Sequence, residues 1–163
     1  MPVKFLCNNH REHLLADDHL AENYWLESMH QAAEYHETGD FGSAIPLLGC
    51  AAELSGHLLD RSWPNPATAL SRFAASVIGL AKTYHLSGND KAKHYIIEQA
   101  NERVAASMSD IHCYQLICDS IAVFNWTAVN LAIQRCHKGF VSNSCYSVCF
   151  ENHQQRPRAV TLH

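Results

Sequence analysis

Apolar residues return every three or four positions through most of this chain, the period of helices with one buried face. No stretch alternates long enough to predict a strand. Breakers at Gly39-Asp40, Asn65-Pro66, Gly88-Asn89-Asp90, Ser109-Asp110 and Gly139 divide the pattern. The first helix is expected from Asp17 or Asp18 to Thr38, with Gly39 supplying a left-handed stop and a short lead-in helix around Glu12–Ala16. The second runs from about Ser43 to Leu59, burying Ala44, Leu47, Leu48, Ala51, Leu54 and Leu58. Placing Pro46 in its first turn favours Ser43 over Asp40 as the cap. Asn65 caps the third helix, Pro66 opens it and Gly88 closes it. Its buried face is Leu70, Phe73, Ala74, Val77, Ala81 and Tyr84, with Arg72, Ser76, Lys82 and Thr83 largely elsewhere. A fourth helix, from about Asp90 to Ser107, carries Ala92, Ile96, Ala100 and Val104 at four-residue steps. The fifth, about 110–138, is apolar on nearly every side, and Asn125 is a point where it kinks or splits. A short helix and a frayed tail fill 142–163.

Two segments overlay. Ala32, Tyr35, Gly39, Ala44, Leu48 and Ala51 have the same spacings as Ala81, Tyr84, Gly88, Lys93, Ile97 and Ala100, 49 residues later. Small residues let two antiparallel helices approach, an aromatic wedges between them, and glycine turns the chain without a Cβ penalty. This spacing resembles the tetratricopeptide repeat over residues 20–107, with units at about 20–59 and 66–107. The chain departs from that family at Lys93, where a small residue is expected, although Ala92 stands beside it. The Asp60–Pro66 link is longer than in tandem arrays, the repeat-ending proline is missing, and no third unit matches.

The fold class that follows is all-α: antiparallel helix pairs stacked as a short right-handed superhelix, closed by a C-terminal capping helix. Two units are too few to bury their own faces, which gives the helix at 110–138 the capping role. Its second apolar side then predicts a homodimer. The resemblance also implies a protein or peptide partner held in a groove lined by the first helix of each pair. On this chain that means Asn23, Glu27, His30, Gln31 and Glu34, facing Arg72, Ser76, Gly79 and Thr83. Trp25 either anchors the partner or packs under the lead-in segment. On this reading Arg72→Glu abolishes capture and leaves folding intact.

Composition narrows the function classes. The formal net charge is −4, the estimated pI is 6.3, and the densest basic stretch is Arg156-Pro157-Arg158. Nucleic acid is therefore not an expected partner. The longest charge-free apolar stretch, 120–134, is shorter than the ~20 residues of a membrane span. The first ten residues hold no signal-peptide apolar core, so a cytoplasmic protein is expected. Seven cysteines without a C-x-x-C pair predict buried thiols in a reducing compartment.

Chemistry is sparse. Twelve histidines raise the question of zinc, and Cys145, Cys149 and His153 form a stripe at four-residue steps. Cys145 and His153 are too far apart to share an ion alone, so such a site needs ligands from elsewhere, such as Cys113 or Cys136. His10, His13 and His19 form a second cluster with Glu12, Asp17 and Asp18. Asp40-Phe41-Gly42 spells a kinase motif without its companions and sits where a repeat turn belongs. The sequon Asn125-Trp126-Thr127 lies in a helix expected to be buried. No nucleophile elbow, phosphate loop or dinucleotide fingerprint is present, so no catalytic residue and no cofactor is assigned. The leading expectation is a protein-interaction or scaffold module, with a zinc-binding protein or metal-dependent enzyme and a self-associating structural protein as the alternatives.

Overall fold

The computed structural model describes residues 4–106, 119 and 122–127, and all secondary structure among them is helical. α1 is Asn8–Leu15, α2 Asp18–Glu37, α3 Phe41–Asp60, α4 Pro66–Leu86 and α5 Asp90–Ala106. Residues 122–127 are also helical. Packing runs in chain order: α1 lies on α2, α2 on α3, α3 on α4 and α4 on α5. No described helix is long and apolar enough to cross a membrane.

The helix ends follow from local chemistry. Asp17 accepts from the His19 amide at 2.9 Å, and Asn65 from the Thr68 amide at 3.0 Å with Pro66 in the first turn. One boundary departs from expectation. Asp40, not Ser43, caps α3, accepting from the Ser43 amide at 3.1 Å, and its hydrogen bonds to Ser43 hold its carboxyl below the usual range. Pro46 therefore lies beyond the first turn, where it removes one bond to the carbonyl of Gly42 and leaves the helix continuous.

The two long turns repeat each other. Gly39 and Gly88 have φ of 77° and 79°. The Gly39 and Gly88 amides donate to His36 and His85 carbonyls, and the Asp40 and Asn89 amides to Tyr35 and Tyr84 carbonyls. Asp40 and Asn89 then cap the next helix through Ser43 and Ala92. α3 ends in the same bonding pattern, Ser62 to Leu59 and Trp63 to Leu58, but with serine at φ 54° in the left-handed position. Ser62→Gly is expected to raise stability by about 0.5 kcal/mol, the relief of left-handed strain minus the added chain entropy. A Tm that does not rise would show that Ser62 bears no strain.

Three apolar clusters hold the layers. Leu6, Leu14, Ala21, Leu54 and Leu58 join the lead-in to α2 and α3. Ala32, Ala44, Leu48, Leu80 and Tyr84 join α2, α3 and α4. Leu70, Phe73, Val77, Ile97, Ala100 and Val104 join α4 to α5, and Phe124 closes on Phe73 edge-on with ring centroids 6.4 Å apart. Each fully buried leucine contributes about 1.5–3 kcal/mol, far above any surface ion pair. The sequence places Ala44, Leu48, Ala51, Leu54 and Leu58 in this core correctly, whereas Leu47 is only partly buried. On α5 the buried line is Lys93, Ile97, Ala100 and Val104: Ala100 and Val104 are buried as expected, while Lys93 and Ile97 take the places expected of the partly buried Ala92 and Ile96. The register of the overlaid segments thus locates that face better than the four-residue steps do.

Candidate functional site

The nine residues expected to line a groove do not converge. Asn23, Glu27, His30, Gln31 and Glu34 all lie on the exposed face of α2. Gln31 donates to Glu27 at 3.1 Å, and His30 stands 3.6 Å from Glu34, both surface pairs one helical turn apart. The α4 set faces inward instead. Ser76 and Thr83 have no exposed surface, and Gly79 is buried. Each hydroxyl donates to a carbonyl of its own helix, Ser76 to Arg72 at 2.9 Å and Thr83 to Gly79 at 2.8 Å. Ser76 also accepts from the Trp25 indole N–H at 2.8 Å. Arg72 pairs with Glu22 and lies over the Trp25 ring, 5.3 Å from its centroid. Trp25 itself packs with Leu6, Leu14 and Leu58, so it is spent on internal packing under the lead-in segment. Ser76, Gly79 and Thr83 are withdrawn from any surface, and Arg72 from free substitution.

An open concavity lies elsewhere among the described residues, between α3 and α5 with α4 as its floor. Its volume is about 680 Å³. Phe73, Val77, Leu80, Ile96 and Ala100 make the apolar part, and Glu53, Asp60, Tyr95, Gln99, Glu102 and Arg103 supply the polar rim. An apolar floor with a few polar groups is the usual form of a binding site. Arg103 donates to both carboxylate oxygens of Asp60, at 3.2 and 2.5 Å, and lies 5.8 Å from the centroid of the Phe73 ring. Gly56 makes room for that guanidinium, since a Cβ there would stand 2.8 Å from the Arg103 Cζ. At the other end the chain's own N-terminal segment enters. The Phe5 and Leu6 amides each donate to Glu53 Oε2 at 3.0 Å, Arg11 pairs with Glu53, and the Phe5 ring lies directly on Gly49. Sequence reasoning missed this cleft. Its legible trace was two glycines seven positions apart on α3, Gly49 and Gly56, which leave bare backbone on one side of a helix.

A polar knot closes the second turn. Lys93, 2% exposed, puts its ammonium 3.1 Å from Asp90, whose carboxylate also stands 3.2 Å from His85. Burial pushes Lys93 below its ordinary pKa. Among the described residues no three His, Cys, Asp or Glu side chains gather as for a metal ion, His10, His13 and His19 included. Cys145, Cys149, His153, Cys113 and Cys136 lie outside the described residues. Asn125, expected inside a buried helix, is exposed and accepts from the Asn101 side-chain amide at 3.1 Å. Cys50, half-buried, has its thiol pushed up by burial, whereas Cys7 is exposed.

Two histidines give the fold a pH dependence. Burial lowers His36 and His57 below 6.5, helped by Lys82 in the first case and Arg61 in the second. The unfolded chain therefore takes up protons at a pH where the folded chain does not. Their contribution is complete above pH 6.5 and is lost as pH falls from 6.5 towards their lower folded values. Tm is expected to drop between pH 7 and 5, and a chain carrying His36→Gln and His57→Gln should show a shallower drop. An equal slope in the double variant would assign the acid loss to other groups.

Comparison with protein-family models, with curated proteins and with solved structures finds no match for this chain.

Proposed function

We propose that the chain is a tetratricopeptide-like interaction module of the cytoplasm that holds a peptide or helix of a protein partner. The observation that carries this reading is the cleft of about 680 Å³ between α3 and α5, apolar at its base and hydrogen-bonding at its rim. The two matching glycine turns support the repeat reading, with α2–α3 and α4–α5 as its units and a short right-handed superhelix as their stacking. The edge-on contact of Phe124 with Phe73 supports the 110–138 helix as a cap. Selection of a random peptide library on the immobilised chain tests the proposal. Binders sharing an apolar pattern, and lost with Gln99→Trp on the cleft rim, are the expected result. Binders indifferent to Gln99→Trp would move the site off the cleft, and an empty selection would count against a peptide-binding role.

Self-association is the second reading, favoured by Val123 and Trp126, which are 41% and 60% exposed beside the buried Phe124. A homodimer through this helix should be seen by sedimentation equilibrium and be lost with Trp126→Asp. A monomer at high micromolar concentration would end that reading.

A further inference from the structure

We propose that Lys4-Phe5 is a built-in strap, a ligand-like segment that occupies one end of the α3–α5 cleft until an extended peptide with a basic and an aromatic residue in succession replaces it. This rests on the interaction-module reading and gives the partner its chemistry.

The strap is bound as a foreign peptide would be. Residues 4–6 have no helical structure. Two successive backbone amides, Phe5 and Leu6, converge on one carboxylate oxygen of Glu53. Such bonds are indifferent to which chain supplies the amides. The aromatic ring is received by Gly49, where any Cβ would collide with it, so the seat is shaped for a flat side chain. Lys4 lines the same cleft, whose rim carries Glu53, Asp60 and Glu102. Arg103 answers Asp60 and Arg11 answers Glu53, while Glu102 accepts a neutral amide from Gln99. An incoming basic side chain therefore meets a complementary carboxylate at the rim.

The hold is also divided in a way that suits release. Leu6 is 6% exposed and packs with Leu14, Leu54 and Leu58, which anchors the segment at that point. Phe5 is only partly buried, and Lys4 is exposed. The chain can hinge at Leu6, vacating the Gly49 seat and freeing Glu53 of the Phe5 amide while Leu6 keeps its place. An occupied seat lowers apparent affinity by the fraction of time it is closed.

The test uses the full chain and a fluorescent peptide spelling residues 2–8 with serine in place of the cysteine. Fluorescence anisotropy should show weak binding to the unaltered protein and at least tenfold tighter binding to Phe5→Ala, whose seat is empty. Adding Gly49→Ala to Phe5→Ala should weaken the peptide at least tenfold again. Equal affinity of the unaltered and Phe5→Ala chains, or indifference to Gly49→Ala, would overturn the strap. Should Phe5→Ala fail to melt cooperatively, Gly49→Ala in the otherwise native chain decides: amide exchange at Phe5 and Leu6 is expected to rise at least tenfold, and unchanged exchange overturns the proposal. Library peptides blocked by Gln99→Trp yet insensitive to Phe5→Ala would sink the strap alone and leave the module standing.

Discussion

Arg72→Glu is expected to cost about 1–3 kcal/mol, between a surface ion pair and a fully buried one, because the Arg72–Glu22 pair is part-buried. Arg72 has a side chain only 16% exposed, pairs with Glu22 and covers the Trp25 ring. Reversal places a second carboxylate against Glu22 and removes the cation from the indole face. It also disturbs the point where α4 is tied to α2, because the Arg72 carbonyl receives the Ser76 hydroxyl that in turn accepts from Trp25. This outcome contrasts with the sequence-based expectation that the variant folds normally and loses only its partner. Denaturant melts of Arg72→Glu, Glu22→Arg and the double variant check the point. The double variant should recover part of the loss, since the pair is restored but the stacked guanidinium is not. Additive losses in the cycle would mean that the pair does not couple α2 to α4.

What the sequence revealed depended on how local each cause was. The caps at Asp17 and Asn65 and the stops at Gly39 and Gly88 act within four residues, and they were legible. At Asp40 a good cap outweighs one proline. The lost bond at Pro46 is single, while Asp40 satisfies an amide at the helix start. The apolar stripe of α4 leaves Ser76 and Thr83 largely off its buried face, and the repeat resemblance assigns them to a groove. Their hydroxyls bond back to their own helix, which lets a polar position sit inside at little cost. α4 is packed by α3 and α5 and tied to α2 through Trp25 and Glu22, so it has almost no outer face to offer a groove. The cleft was invisible for a different reason. Its walls come from α3 and α5, more than thirty positions apart, and its shape depends on a segment that returns from the chain's beginning.

The proposed module would therefore bind on a different face from the one the repeat resemblance implies. The exposed side of α2 carries paired, solvated side chains, each pair worth a few tenths of a kcal/mol. The α3–α5 side joins apolar area to a polar rim, the usual form of a binding site. On the proposed reading, a partner entering there would compete with the chain itself, and its affinity would be set partly by how readily Lys4-Phe5 lifts away.

Lys93→Ala, which restores the small residue the repeat pattern calls for, is expected to lower stability by about 2–4 kcal/mol, whereas Lys93→Met should stay within about 1 kcal/mol of the unaltered chain. Lys93 is 2% exposed, so its four-carbon stem fills core volume that alanine leaves empty. Methionine keeps that volume and removes the buried charge. Asp90 then loses its ammonium partner but keeps His85 at 3.2 Å and its place in the first turn of α5. Equal losses for the two variants would show that the charge, not the stem, matters. The pH response separates these terms further. Burial lowers Lys93 below 10.5, so the unfolded chain holds its proton to higher pH than the folded chain does. The cost of the buried ammonium is therefore complete below the folded value and is relieved as pH rises from there to 10.5. Tyr84 works the other way, its phenol pushed above 10 by burial, so its contribution is complete below 10 and fades above it. The difference between the unaltered chain and Lys93→Met, measured from pH 7 to 10.5, cancels Tyr84. That difference should move in favour of the unaltered chain as pH rises, and a flat difference would mean that Lys93 is not strained by its burial.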